Sequence, residues 1–141
     1  MRWEVQGRSA IEGPSEEDVR SAIGALRSYG PSSIAILTDE NRNYLQVGGG
    51  GMTCLLERRD ARTGRHFRAY HDQPSRVFPD GTILAFAHNK IPMQADEWFD
   101  WRVVADAFAA FLRAEELPPS IQWRDMTDML KTPVSGPHSS R

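Results

Sequence analysis

The chain has 141 residues, of which 40% are hydrophobic and 26% are charged, as expected for one globular domain with its own core. The net charge of −2 and a pI of about 6.1 argue against a duplex-binding protein, so no nucleic-acid partner is expected. One cysteine excludes an internal disulfide, and no apolar run reaches the roughly 20 residues that cross a bilayer. The N-terminus also has no signal-peptide core, so we expect a cytoplasmic protein with no membrane partner.

The N-terminal segment predicts a strand followed by a helix. Residues 2–8 alternate apolar and polar side chains, which is the period of a strand with one solvated face. Ser15 offers an N-cap oxygen, and Gly30 and Pro31 supply a stop, so the spacing predicts a helix over about residues 15–29. The apolar face of this helix consists of Val19, Ala22, Ile23 and Leu26.

The centre of the chain predicts three strands. Residues 33–37 form a short β-rich run that ends in turn residues. Residues 44–60 then contain two strand-like runs joined through the four glycines Gly48–Gly51. A phosphate-binding loop is the alternative interpretation of the glycines, but no lysine follows and the next residues have a strand pattern. We therefore interpret the glycines as a hairpin turn or a bulge.

Two further strands follow. Residues 65–71 alternate in polarity, and residues 83–87 form an apolar run after the turn signal Pro79-Asp80-Gly81. Strands that are separated by tight turns favour an antiparallel sheet. Residues 121–123 are predicted to add a last short strand.

A second helix is predicted over about residues 96–114. Asp96 is its expected cap, and Glu97 and Asp100 lie in its first turns. Its apolar arc consists of Trp98, Trp101, Val104, Ala105, Phe108, Phe111 and Leu112. Phe99 and Val103 fall on the opposite side of the helix, which predicts that they face away from the core.

These elements predict a single α+β domain over residues 1–131. We expect a mostly antiparallel sheet of about five to seven strands, packed against two main helices. Residues 132–141 lack periodicity and apolar mass, so they are predicted to form a disordered tail.

No residue pattern in the chain specifies a catalytic or metal site. Cys54 with His66 or His71 is a conceivable nucleophile and base, but Cys54 has apolar neighbours in a predicted strand, which favours an inert thiol. The histidines lack metal-ligand spacing, so neither a metal nor another cofactor is expected. Five arginines around one hairpin are interpreted as its solvated end. They are Arg58, Arg59, Arg62, Arg65 and Arg68.

Residues 42–126 resemble the immunity proteins of bacterial polymorphic toxin systems. These proteins share an ending that reads Ile-Pro, a helix with Ala and Phe-Leu, Pro, and an apolar residue before Trp. The matching residues here are Ile91-Pro92, Ala105, Ala107, Phe108, Phe111-Leu112, Leu117-Pro118 and Ser120-Ile121-Gln122-Trp123. The run Tyr44-Leu45-Gln46-Val47 before glycine is similar to a strand of the same family.

The resemblance implies a non-enzymatic protein that binds and neutralises a cognate toxin. Charge complementarity would then be supplied by Asp96, Glu97 and Asp100, with Phe99 and Val103 as apolar anchors. Two alternatives stay open. One is a small-ligand or peptide-binding module, and the other is a small enzyme that uses Cys54 or His66.

Overall fold

The computed structural model describes residues 1–128; the predicted domain boundary at 131 and the predicted tail 132–141 lie outside them. The described part forms one α+β unit. The strands are β1 (Arg2–Val5), β2 (Ile11–Glu12), β3 (Ile34–Thr38), β4 (Tyr44–Gly50), β5 (Thr53–Asp60), β6 (Arg65–Tyr70), β7 (Thr82–Phe86), β8 (Asn89–Met93) and β9 (Gln122–Asp125). The helices are α1 (Glu16–Ala25), the short 3-10 helix Ala95–Glu97, and α2 (Trp101–Leu112).

Seven strands form one antiparallel sheet in the order β2-β1-β3-β4-β5-β6-β9. The β4–β5 hairpin lies at its centre, with Val47 opposite Leu56 and Gly50 opposite Thr53. Strands β7 and β8 form a separate two-stranded ribbon. The predicted fold class, an antiparallel sheet packed against two helices, is confirmed.

The sheet is covered on both faces. On one face α1 and α2 bury a core around Phe108, whose ring meets Trp3 edge-on at 5.7 Å between ring centroids. On the other face the ribbon buries a second core, in which Phe86 and Met93 pack with Trp98. The central strands are therefore held between two apolar layers, which favours a rigid sheet.

The glycine run lets both layers approach the central hairpin. A Cβ atom at Gly48 would lie 2.4 Å from the Phe86 ring in the ribbon layer. A Cβ atom at Gly50 would lie 2.2 Å from the carbonyl oxygen of Leu26, just beyond α1. Gly49, at a φ of +96°, interrupts the strand alternation between them. The predicted hairpin is present, but Gly48–Gly50 belong to β4, so the turn consists of Gly51 and Met52.

Helix α1 is shorter than predicted. Ser15 caps it as expected, since its Oγ accepts a hydrogen bond of 3.0 Å from the backbone N–H of Asp18. The helix ends at Ala25 rather than near residue 29, because Leu26 is extended (φ −63°, ψ 143°) and its side chain is buried.

Helix α2 begins five residues later than predicted. The backbone of Phe99 exchanges two hydrogen bonds of 3.0 Å with Cys54, so this segment is paired with β5 and is not helical. Asp100 is the true N-cap, and its Oδ1 accepts from the backbone N–H of Arg102 at 2.8 Å. As a result Trp98 does not belong to the helix and packs against Phe78 in the ribbon core, with ring centroids 4.5 Å apart.

Two strands were not predicted, namely β2 and β8. The β7–β8 turn uses Ala87 (φ +46°) and His88 (φ +66°), so it carries no glycine signal. The last predicted strand, residues 121–123, is present as Gln122–Asp125.

Candidate functional site

The five residues predicted to bind a partner do not form one exposed surface. Glu97 is 1% exposed and Phe99 is 4% exposed, so neither side chain is available for contact. Asp96, Asp100 and Val103 are half-buried. The prediction that Phe99 and Val103 face away from the core is wrong, because both pack against the helix-side core. The helical phase used to place Phe99 does not apply to it, since residues 98–100 precede the helix.

A row of charged side chains crosses the ribbon-side face of the sheet. Glu57 on β5 is opposite Arg68 on β6, and Arg68 is opposite Arg124 on β9. The Arg68 Nε lies 3.2 Å from the Glu57 carboxylate. Directly opposed residues on one face interact across strands, so this row links three neighbouring strands.

Glu97 completes this row from above the sheet. Its carboxylate lies 2.7 Å from Nη1 of Arg124 and 3.4 Å from Nη1 of Arg68. It also accepts a hydrogen bond of 2.7 Å from the backbone N–H of Gln94. Arg124 reaches Asp96 as well, at 3.1 Å. The buried cluster therefore fixes the 3-10 helix on the sheet, and it neutralises the two carboxylates that were predicted to face a partner.

Asp100 also has internal partners. It caps α2, and its carboxylate lies 3.3 Å from Nη1 of Arg102. Each of the three acidic residues in the predicted surface is thus satisfied within the fold, which weakens the case for an acidic docking patch there.

Cys54 and His66 are not brought together. Cys54 is buried in the helix-side core, where desolvation and, to a smaller extent, the charge of Asp100 raise the pKa of its thiol to about 12. Strand alternation places His66 on the opposite face, and its ring lies 6.3 Å from that of Tyr44 between centroids. His71 Nε2 lies 2.7 Å from the carbonyl oxygen of Trp98. A thiolate that is disfavoured at neutral pH gives Cys54 no nucleophilic character.

Within residues 1–128, no group of three or more potential metal-ligating side chains is present. None of the helices in this part of the chain is long and apolar enough to cross a membrane.

The arginines of this cluster lie in different environments. Two members are neutralised, since Arg65 lies 2.6 Å from Asp125 and Arg68 belongs to the buried cluster. Arg62 is exposed. Arg58 is half-buried, and no carboxylate of the described residues lies within ion-pair distance of it. Arg59 is also half-buried, and its Nε atom is buried. The interpretation of the whole cluster as a solvated hairpin end is therefore wrong for Arg58, Arg59 and Arg68.

Arg58 lies between two aromatic rings on the helix-side face. Its guanidinium carbon is 4.4 Å from the centroid of Phe67 and 4.9 Å from that of Trp123. The Nε atom is buried without a hydrogen-bond partner among the described residues. Burial lowers the pKa of Arg58, an effect that the nearby charge of Asp60 partly offsets. The Arg58 cation is therefore held against two aromatic rings without forming an ion pair among the described residues.

Arg58 borders a pocket of about 290 Å³ at one end of the sheet. Two turns meet at this end, because the side-chain oxygen of Asn43 accepts a hydrogen bond of 2.8 Å from the backbone N–H of Ala61. We call this the Arg58 pocket. Its lining consists of Arg58, Arg59, Asp60, Asn43, Tyr44, Phe111 and Leu117.

No protein-family model, curated protein or solved structure matches this chain. The resemblance of residues 42–126 therefore rests on the quoted residues and on where they lie. Tyr44–Val47 form the start of the central strand β4, Ile91-Pro92 lie in β8, the Ala and Phe-Leu positions lie in α2, and Gln122-Trp123 lie in β9.

Proposed function

We propose that this chain is a non-enzymatic immunity protein that binds a bacterial toxin domain in the cytoplasm and inhibits it. The observation that carries the proposal is the ordered resemblance over residues 42–126. Its residues lie in the central strand, the ribbon, the second helix and the edge strand of one folded unit. Several of them, including Leu45, Val47 and Phe108, belong to one core. The resemblance thus covers a packed framework rather than scattered surface positions.

The rigid sheet suits an inhibitor that acts by occupying or distorting an active site. Both faces of the central hairpin are covered by apolar layers, and the buried charged cluster fixes residues 94–98 on the sheet. A preorganised binding surface loses little conformational entropy on association, which favours tight complexes. Such a role requires no nucleophile, and the buried thiol of Cys54 is compatible with it.

The charge distribution favours the arginine end over the predicted acidic surface as the recognition surface. Asp96, Glu97 and Asp100 are paired with arginines of the same chain. Arg58 is not paired with any carboxylate of the described region, so it retains an unsatisfied preference for an anion. Electrostatic complementarity across an interface requires charges that are available to the partner.

A small-ligand-binding module is the second candidate function. The specific observation in its favour is the Arg58 pocket, whose volume of about 290 Å³ is near the lower end for small-molecule sites. A titration with small oxyanions separates the two candidates, since a ligand-binding module binds one of them tightly without a protein partner.

The experiment that tests the proposal is a binding measurement with the toxin domain encoded beside the gene for this chain. We expect a 1:1 complex in isothermal titration calorimetry, with a nanomolar or tighter dissociation constant, and no complex with an unrelated toxin domain. The absence of binding at micromolar concentrations would contradict the proposal.

A further inference from the structure

The Arg58 side chain has hydrogen-bonding capacity that the described residues do not use. A guanidinium carries five N–H donors in one plane and no acceptor. Phe67 and Trp123 lie 4.4 and 4.9 Å from the guanidinium carbon, so the aromatic rings contact the cation without accepting conventional hydrogen bonds. The Nε atom is buried and unsatisfied. The Nε atom of Arg59, which borders the same pocket, is also buried without a partner among the described residues. Two such donors at one pocket favour an acceptor that arrives from outside.

The neighbouring carboxylates are already engaged elsewhere. Asp60, two residues along the strand, accepts a hydrogen bond of 3.0 Å from the backbone N–H of Arg62. Asp125, on the edge strand, pairs with Arg65 at 2.6 Å. Asp39, in the adjoining turn, accepts from the backbone and side chain of Asn43. Asp60 lines the same pocket and acts on Arg58 through its charge, but no carboxylate of residues 1–128 forms an ion pair with Arg58.

The Arg58 pocket has the size and lining of a site for one short acidic side chain. It encloses about 290 Å³. Phe111 and Leu117 offer apolar contact for methylene groups, and Arg58 offers N–H donors for an oxyanion. The planar fork of an arginine matches the two oxygens of a carboxylate.

We infer that the Arg58 pocket receives a glutamate or aspartate side chain of a protein partner. The partner is taken to be the toxin domain, so this inference rests on the proposed function. A protein carboxylate is favoured over a nucleic acid because polyanions are bound through several phosphate contacts along a basic track, whereas this chain carries a net charge of −2.

The test compares the affinity of the toxin domain for wild type and for three variants of this chain. Arg58→Met keeps a flexible apolar stem against the rings and removes the charge, and we expect binding to weaken by about 30-fold or more. Arg58→Lys keeps the charge without the planar fork, and we expect about tenfold weaker binding. Arg62→Gln is the matched control, since it removes an exposed arginine at the same end; we expect a change below about threefold.

A set of toxin variants identifies the carboxylate that pairs with Arg58. Each surface carboxylate of the toxin domain is replaced by its amide, and the replacement that weakens binding to wild type should have no further effect on binding to Arg58→Met. The denaturation midpoint of Arg58→Met should be no lower than that of wild type, because a buried cation without a counter-charge does not stabilise the free protein. A lower midpoint together with unchanged affinity would show a purely structural role.

The outcomes for the inference and for the function are distinct. If wild type binds the toxin domain and Arg58→Met binds equally well, the carboxylate site is refuted while the immunity role stands. If wild type does not bind, the proposed function fails, and the pocket is tested directly by following the Arg58 Nε–H signal in nuclear magnetic resonance. N-acetylglutamate amide should then shift that signal and inorganic phosphate should not; the reverse result would refute the inference in favour of a phosphate-bearing ligand.

The test also separates a carboxylate of the partner from the C-terminal carboxylate of this chain. A variant that lacks residues 132–141 should bind N-acetylglutamate amide with the affinity of wild type. A gain in affinity on truncation would show that the chain itself supplies the carboxylate, and it would overturn the inference.

Discussion

Replacing Glu97 by glutamine tests whether the buried charged cluster holds the sheet and residues 94–98 together. The carboxylate of Glu97 contacts Arg124 at 2.7 Å and Arg68 at 3.4 Å, and it is 1% exposed. Removing one partner of a buried ion pair costs about 3–5 kcal/mol. Here each arginine retains a second carboxylate, Glu57 for Arg68 at 3.2 Å and Asp96 for Arg124 at 3.1 Å. We therefore expect a loss of about 2–4 kcal/mol in the free energy of unfolding.

The assay is urea denaturation at pH 7, with equal m-values required for the comparison. The matched control is Asp106→Asn, which breaks an ion pair of 2.9 Å with Arg20 where the aspartate side chain is 62% exposed. Exposed pairs contribute about 0–1 kcal/mol, so the control should lose no more than that. A loss below about 1 kcal/mol for Glu97→Gln would refute the view that the cluster fixes residues 94–98 on the sheet.

Three further predictions follow from single residues. Ellman's reagent should label Cys54 only after unfolding, because its thiol is buried and its pKa is raised to about 12; rapid labelling of the native protein would contradict this burial. Gly50→Ala should destabilise by about 3 kcal/mol or more in urea denaturation, since the new Cβ lies 2.2 Å from the backbone oxygen of Leu26; near-wild-type stability would show that α1 moves freely. Asp125 has a pKa of about 2, lowered from 3.8 by hydrogen bonds from Thr127 and by Arg65, so the folded state binds this proton less readily than the unfolded state. The stabilisation of the fold by Asp125 should be complete above about pH 4 and lost as the pH falls towards 2. In Asp125→Asn the melting temperature should therefore depend less on pH in that range. A pH dependence equal to that of wild type would argue against these contacts.

Local patterns in the sequence predicted most of the fold. The polarity alternation predicted the strands around the central hairpin, and Ser15 with its acidic first turn predicted the start of α1. The turn signal Pro79-Asp80-Gly81 likewise predicted the beginning of β7. These signals are local because each depends on the conformation of a few neighbouring residues.

The start of α2 depended on contacts that the sequence does not display. Asp96 and Asp100 are both good helix caps, and only the pairing of Phe99 with Cys54 decides between them. The same pairing moved Phe99 from a predicted surface into the core. The partner surface was misplaced because residues 96–100 were assigned to the helix, which begins only at Trp101.

The Arg58 pocket was also beyond sequence reasoning. Five arginines within eleven residues look alike in the chain, yet Arg58 is half-buried and Arg62 is exposed. Arg58 lies in β5 next to the aromatic residues Phe67 and Trp123, whereas Arg62 lies in the turn after β5. The number of arginines near a hairpin does not indicate which of them is buried.

Inhibition of the neighbouring toxin domain tests the central claim most directly. The toxin domain is assayed for its own activity while purified wild-type protein is added in steps, with an unrelated toxin domain as the control. The immunity role predicts that activity falls linearly and reaches zero near one molar equivalent, with no effect on the control. Full toxin activity in a tenfold molar excess of this protein would contradict the account.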